Sequence, residues 1–124
     1  MNLKNNIVYL AAPKRLFDSE IFDRAYRYAQ SQCSAVLDPR GVFRSNDEWK
    51  DNFERVLEIC DVMVIVSDDG MVGKGVYEEY RYFRRRFCKI FHYTETGKNK
   101  YLIPVKGMNV VNPDVWKNYA LIQY

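Results

Sequence analysis

The sequence predicts an α/β domain in which a parallel five-stranded sheet, strand order 2-1-3-4-5, lies between two layers of helices. Three observations carry that expectation. Val62, Met63, Val64, Ile65 and Val66 form an uninterrupted apolar run, as in a strand covered on both faces. Strand-like and helix-like patterns alternate along the chain at the spacing that right-handed crossovers need to build a parallel sheet. The central strand then runs into a glycine-rich acidic loop and a helix, so backbone freedom and negative charge meet at its carboxyl end.

Ile7 to Ala12 read as the first strand, ended by Pro13, which lacks a backbone donor. Asp18 or Ser19 can cap a helix that reaches about Gln32 and turns Ile21, Phe22, Ala25 and Ala29 inward. Ala35 to Leu37 make a short second strand, followed by a turn-rich segment at Asp38-Pro39-Arg40-Gly41. Ser45 and Glu48 have capping-box spacing, and the helix they start carries Trp49, Phe53, Val56, Leu57 and Cys60 toward the sheet. After the strand at 62–66, a helix from about Val76 presents Val76, Tyr80, Phe83 and Phe87 as one stripe. Lys89 to Tyr93 and Tyr101 to Val105 are expected as the fourth and fifth strands, with Thr94 to Asn99 as a polar loop. Val110 to Tyr124 is expected as a short helix and an edge strand, or as a segment docking on a neighbouring subunit.

A chain of 124 residues suits one domain, residues 1–124. No apolar run approaches the ~20 residues that cross a bilayer, and MNLKNN leads into a strand without a signal-peptide pattern. A cytoplasmic protein without a membrane partner is expected. Cys33, Cys60 and Cys88 have no metal-binding or disulfide spacing and read as three buried thiols. The single His92 excludes a site with several histidine ligands. The net charge of +3 owes much to Arg81, Arg84, Arg85 and Arg86, read as a solvated helix face; nucleic acid is not the expected partner. Ten tyrosines and seven phenylalanines exceed what a small core needs and point to self-association.

In a sheet of this order, ligands bind beyond the carboxyl ends of the strands where the order reverses, here between strands one and three. Two loops meet there. One holds Ala12, Pro13, Lys14 and Arg15, the other Ser67, Asp68, Asp69, Gly70, Gly73 and Gly75. Glu79 sits some 60° from the apolar stripe of its helix, one turn in, and Tyr9, near the end of the first strand, is expected close by. A partly desolvated carboxylate oriented by a phenol can attack a carbon bearing a good leaving group, the retaining route of glycoside chemistry. Glu79 would be the nucleophile and Tyr9 its orienter. Asp68 or Asp69 would hold sugar hydroxyls or protonate the leaving base, and Lys14 and Arg15 would receive a phosphate. Each has a plainer reading: a surface glutamate, a core tyrosine, ordinary surface cations, an Asp-Asp-Gly turn. The loop is neither a Walker A motif nor GxGxxG.

Val8-Tyr9-Leu10-Ala11-Ala12-Pro13, Ile59-Cys60-Asp61-Val62-Met63-Val64 and Gly75-Val76-Tyr77-Glu78-Glu79 together resemble the nucleoside 2-deoxyribosyltransferase-like superfamily, which includes deoxynucleoside 5'-monophosphate N-glycosidases. The likeness spans about residues 7 to 93. It implies a flavodoxin-like (Rossmann-like) three-layer sandwich and N-glycosidic bond cleavage through a glutamate matching Glu79 beside a tyrosine matching Tyr9. It also implies a 5'-phosphate contact at Arg15, sites completed across a homo-oligomer interface, and no metal or cofactor. The chain departs from the pattern at Glu79-Tyr80-Arg81-Tyr82-Phe83, where small residues are usual and where Tyr80 and Arg81 would narrow the pocket. No aspartate matches in register on the helix before the third strand, Asp51 and Glu54 being only nearby. Two other function classes stay open: a non-catalytic nucleotide-binding or sensing module, and an NAD-consuming glycohydrolase.

Overall fold

The computed structural model describes residues 3–86, 89–111 and 118–123. Seven strands form one mixed sheet: β1 (Leu3–Ala11), β2 (Cys33–Leu37), β3 (Val62–Val66), β4 (Met71–Val72), β5 (Ile90–Thr96), β6 (Asn99–Val111) and β7 (Asn118–Gln123). Their order is β2-β1-β3-β5-β6-β7-β4. The helices are α1 (Glu20–Gln32), α2 (Pro39–Val42), α3 (Asn46–Glu58) and α4 (Lys74–Arg84). No helix among the described residues is long and apolar enough to cross a membrane.

The first half follows the expected pattern. β2, β1, β3 and β5 run parallel, and all five residues of β3 are buried. Alternate residues of β1 and β3 supply two cores. Val8, Leu10, Val62 and Val64 pack with Phe22 and Ala25 of α1. Tyr9, Ala11, Met63 and Ile65 pack with Leu57 of α3 and Val76, Tyr80 and Phe83 of α4, so each face of the sheet is covered by helix. Asp61 fixes the register of the central pair: its carboxylate accepts from Ile7 N–H, and its own N–H donates to the Ile7 carbonyl, each at 2.8 Å.

The second half differs from the expected parallel five-stranded sheet. Only Gly97 and Lys98 separate β5 from β6, and the two strands pair antiparallel from Thr96↔Asn99 to Phe91↔Pro104. A parallel return needs a crossover of about a dozen residues, and the polar segment at 94–99 is too short. Gly97 takes φ +62°, the left-handed conformation that primed hairpin turns demand. β6 pairs antiparallel with β7, and β7 with β4. The acidic glycine loop therefore contains a short strand that the tail covers, and β7 is not the sheet edge. The helix expected in the tail and Phe87 of the α4 stripe lie outside the described residues.

Smaller expectations also shift. Asp38-Pro39-Arg40-Gly41 forms the short helix α2, because the Asp38 carboxylate caps Arg40 N and Gly41 N at 2.7 and 3.2 Å. α4 begins at Lys74, and α3 ends at Glu58, leaving Cys60 buried just past it. Cys33 is only half-buried, while Cys88 lies outside the described residues. Much of the aromatic surplus is spent within the chain: Tyr77 stacks on Tyr119 at 3.8 Å, Trp49 on Phe53 at 4.8 Å, and Phe53 meets Tyr82 edge-on. Arg81 and Arg84 lie over the Tyr77 and Tyr80 rings, and Arg86 pairs with Glu58.

Candidate active site

β1 and β3 end side by side, and the chain leaves them in different directions, opening a cleft at their carboxyl ends. After β1, Ala12 and Pro13 lead into a single 3-10 turn, Lys14–Leu16, anchored by buried Leu16. Ser19 then caps α1 by accepting from Phe22 N. Across the opening, Gly73 starts α4 with no side-chain cap. The third wall comes from α2 and the first turn of α3, where Ser45 Oγ accepts from Glu48 N at 3.1 Å. The cleft is about 1050 Å³, with Glu79, Trp49, Phe43, Phe17 and Val76 among its lining and Lys14, Asp18, Arg40, Arg44 and Lys74 as its charged members.

Glu79 is 3 % exposed, and Tyr9 is fully buried beside it. The Tyr9 hydroxyl donates a hydrogen bond to Glu79 Oε2. The indole N–H of Trp49 donates to the same oxygen at 2.9 Å. Oε1 has no hydrogen bond among the described residues, and Glu79 is among the residues that line the cleft. Burial pushes the Glu79 carboxyl up to about 7, against the pull of the Tyr9 and Trp49 hydrogen bonds toward the anion. Burial, then the Glu79 charge and hydrogen bond, push the Tyr9 phenol far above its usual range, so it stays protonated and donating. The arrangement is an acid that ionises near neutrality, with one oxygen held and one free for bonding.

The expected site residues divide into two groups. Glu79, Ala12, Pro13, Lys14, Gly73 and Gly75 line the cleft, with Tyr9 behind the carboxylate. Arg15, Asp68 and Asp69 do not line it. Arg15 is clasped by Asp68 at 2.8 Å and Asp69 at 3.3 Å, and with Asp69, Met71 and Val72 it borders a smaller adjoining cavity of about 450 Å³. Asp69 Oδ1 also accepts from Met71 N and Ser67 Oγ. Partial burial raises its carboxyl, but the Met71 and Ser67 hydrogen bonds and the Arg15 charge outweigh this and hold it below the usual carboxylate range. That is a poor setting for a proton donor.

Gly70, at φ +76°, is the loop glycine whose conformational freedom is used. A Cβ at Gly73 would meet nothing, and one at Gly75 would lie 3.7 Å from the Trp49 ring, an ordinary contact. Tyr80 is in the core and Arg81 is exposed; neither lines the cleft, so they do not narrow it. Sequence reasoning assigned Trp49 to the sheet-facing stripe and missed its bond to Glu79. The available signal was that a packed tryptophan needs a partner for its N–H. Phe43 and Arg44 were missed because no periodic pattern marks the α2–α3 junction.

The chain matches no protein-family model, no curated protein and no solved structure at a significant level.

Proposed function

We propose that the protein is an N-glycosidic-bond enzyme of the cytoplasm that cleaves or transfers the base of a (deoxy)nucleotide or nucleoside, with Glu79 as nucleophile. The observation that carries the reading is the asymmetric Glu79 carboxylate at the cleft: Oε2 held by Tyr9 and Trp49, Oε1 without a hydrogen bond among the described residues. In this scheme Oε1 attacks the anomeric carbon as the bond to the base breaks, and the departing base takes its proton from water in the cleft. The resulting glycosyl ester is resolved by water in hydrolysis or by a second base in transfer. Tyr9 orients the carboxylate and stays neutral throughout. Phe17, Phe43 and Trp49 suit a planar base, and Lys14 with Arg44 at the rim suits a 5'-phosphate. Arg15 is a weaker candidate for that phosphate, since two carboxylates already occupy it. The reading also carries a homo-oligomer, tested by light scattering on the eluted protein.

A second reading is binding without turnover. It is favoured by one observation: among the described residues Asp18 is the only other carboxylate lining the cleft, so none of them is an obvious proton donor facing Glu79. Chromatographic detection of free base after incubation with nucleotides, nucleosides and NAD, beside Glu79→Ala, tests both. Base release that the variant loses supports the enzyme, and the substrate consumed separates nucleotide, nucleoside and NAD chemistry. Nucleotide binding with no release from any compound leaves the sensing module.

A further inference from the structure

We propose that Trp49 is a positioning residue for Glu79, its indole N–H fixing Oε2 and stabilising the anionic carboxylate so that Oε1 is the reactive oxygen. The inference rests on the reading of Glu79 as nucleophile, and it assigns to α3 a role that no carboxylate on that helix fills.

The geometry goes beyond packing. Stacking on Phe53 at 4.8 Å and 16° fixes the plane of the indole. Its six-membered ring runs past Gly75 at the start of α4, and the donor reaches Glu79 one turn further on. The ring therefore spans α3 and α4 and sets the carboxylate relative to both. Trp49 and Tyr9 are not equivalent partners. A hydroxyl donates or accepts, so Tyr9 can serve either protonation state of Glu79, whereas an indole only donates. Its bond is charge-assisted, and strong, only when Glu79 is ionised. Trp49 thus joins Tyr9 in favouring the nucleophilic form, but it cannot turn to accept from the acid form as a hydroxyl can.

The other charges near Glu79 do not substitute for it. Arg40 is engaged by Asp38 and Asp23, and Lys74 by Glu78. Lys14, Asp18 and Arg44 line the cleft as exposed groups, where solvent screens them. Desolvation opposes ionisation, and among the described residues the two neutral donors pull the other way.

The test separates the donor from the ring. Trp49→Phe keeps an aromatic on Phe53 and removes the N–H; Trp49→Gln keeps a donor and removes the ring. The Glu79 carboxyl ¹³C shift, assigned by its loss in Glu79→Gln, is followed against pH. The expected result is a midpoint raised by about one to two units in Trp49→Phe and within about half a unit of wild type in Trp49→Gln, as loss of a hydrogen bond to a charged acceptor implies. A folded Trp49→Phe with an unchanged midpoint overturns the proposal. If either variant fails to fold, the wild-type Trp49 indole N–H resonance decides. It should move with the Glu79 titration and shift in Glu79→Gln; indifference to both overturns the proposal. Base release is scored separately. A moved midpoint with no release from any substrate keeps the pairing and sinks the nucleophile reading, while release with an unmoved midpoint does the reverse.

Discussion

Glu79 and Asp69 are carboxylates of the same switch point, and the chain gives them opposite settings. Glu79 is buried on the core side of α4, with two neutral donors and, among the described residues, no cation bonded to it. Its acid form is favoured up to about pH 7. Asp69 stands in the loop with half its side chain exposed, holding Met71 N, Ser67 Oγ and Arg15, and is held ionised. Residue type made both candidates. Environment makes one a reactive acid and the other the brace of a turn, because desolvation acts on the first while hydrogen bonds and a guanidinium outweigh it at the second.

The largest effect should come from exchanging these roles by mutation. Glu79→Ala is expected to lower base release by roughly 10⁴-fold, as loss of a nucleophile does, and Asp69→Ala to change it by less than about threefold. Comparable losses in initial-rate assays would erase the distinction. Stability should move the other way. The Glu79 carboxyl is raised in the folded chain, so the folded state binds the extra proton between about pH 4.5 and 7. Stability is therefore full below that window and falls as pH rises through it, by about 3 kcal/mol in all. Glu79→Gln should flatten this slope and be the more stable protein at pH 8 in urea unfolding. An unchanged slope would mean that the carboxyl titrates normally.

Tyr9→Phe sharpens the comparison by removing one donor from the buried acid. The rate at pH 7 should fall about 10- to 100-fold, and the acid limb of the pH–rate profile should move to higher pH. A drop with no movement of that limb would assign Tyr9 to packing alone. At Asp69 the expected effects are smaller. Asp69→Ala should cost about 1 kcal/mol by releasing Met71 N and Ser67 Oγ. Arg15→Ala should cost less than about 0.5 kcal/mol, a difference that disappears in high salt because the pair is exposed.

The half of the fold that positions the site was legible in the residues. The apolar run at 62–66, the Ser19 and Ser45 caps and the stripe Val76, Tyr80, Phe83 all act locally, within one turn or one strand. The antiparallel half was misread because strand direction is a property of connections. The two-residue link at Gly97-Lys98 held that information, and the strand-by-strand pattern did not. The pairing of β4 with β7 joins residues 71–72 to 119–120, a contact that no local pattern encodes.

The site divides in the same way. By itself the sequence determined that a tyrosine lies near the end of the first strand and a glutamate lies one turn into the helix after the third. In adjacent parallel strands those two positions must come together. Only the tertiary structure decided that Trp49 of α3 reaches the same carboxylate oxygen, that Arg15 turns to Asp68 and Asp69 instead of the cleft, and that Tyr80 enters the core. Those outcomes depend on how α3, α4 and the loops pack on the sheet. Packing selects among side-chain partners that are far apart in the chain and equal in chemistry until the space between them is fixed.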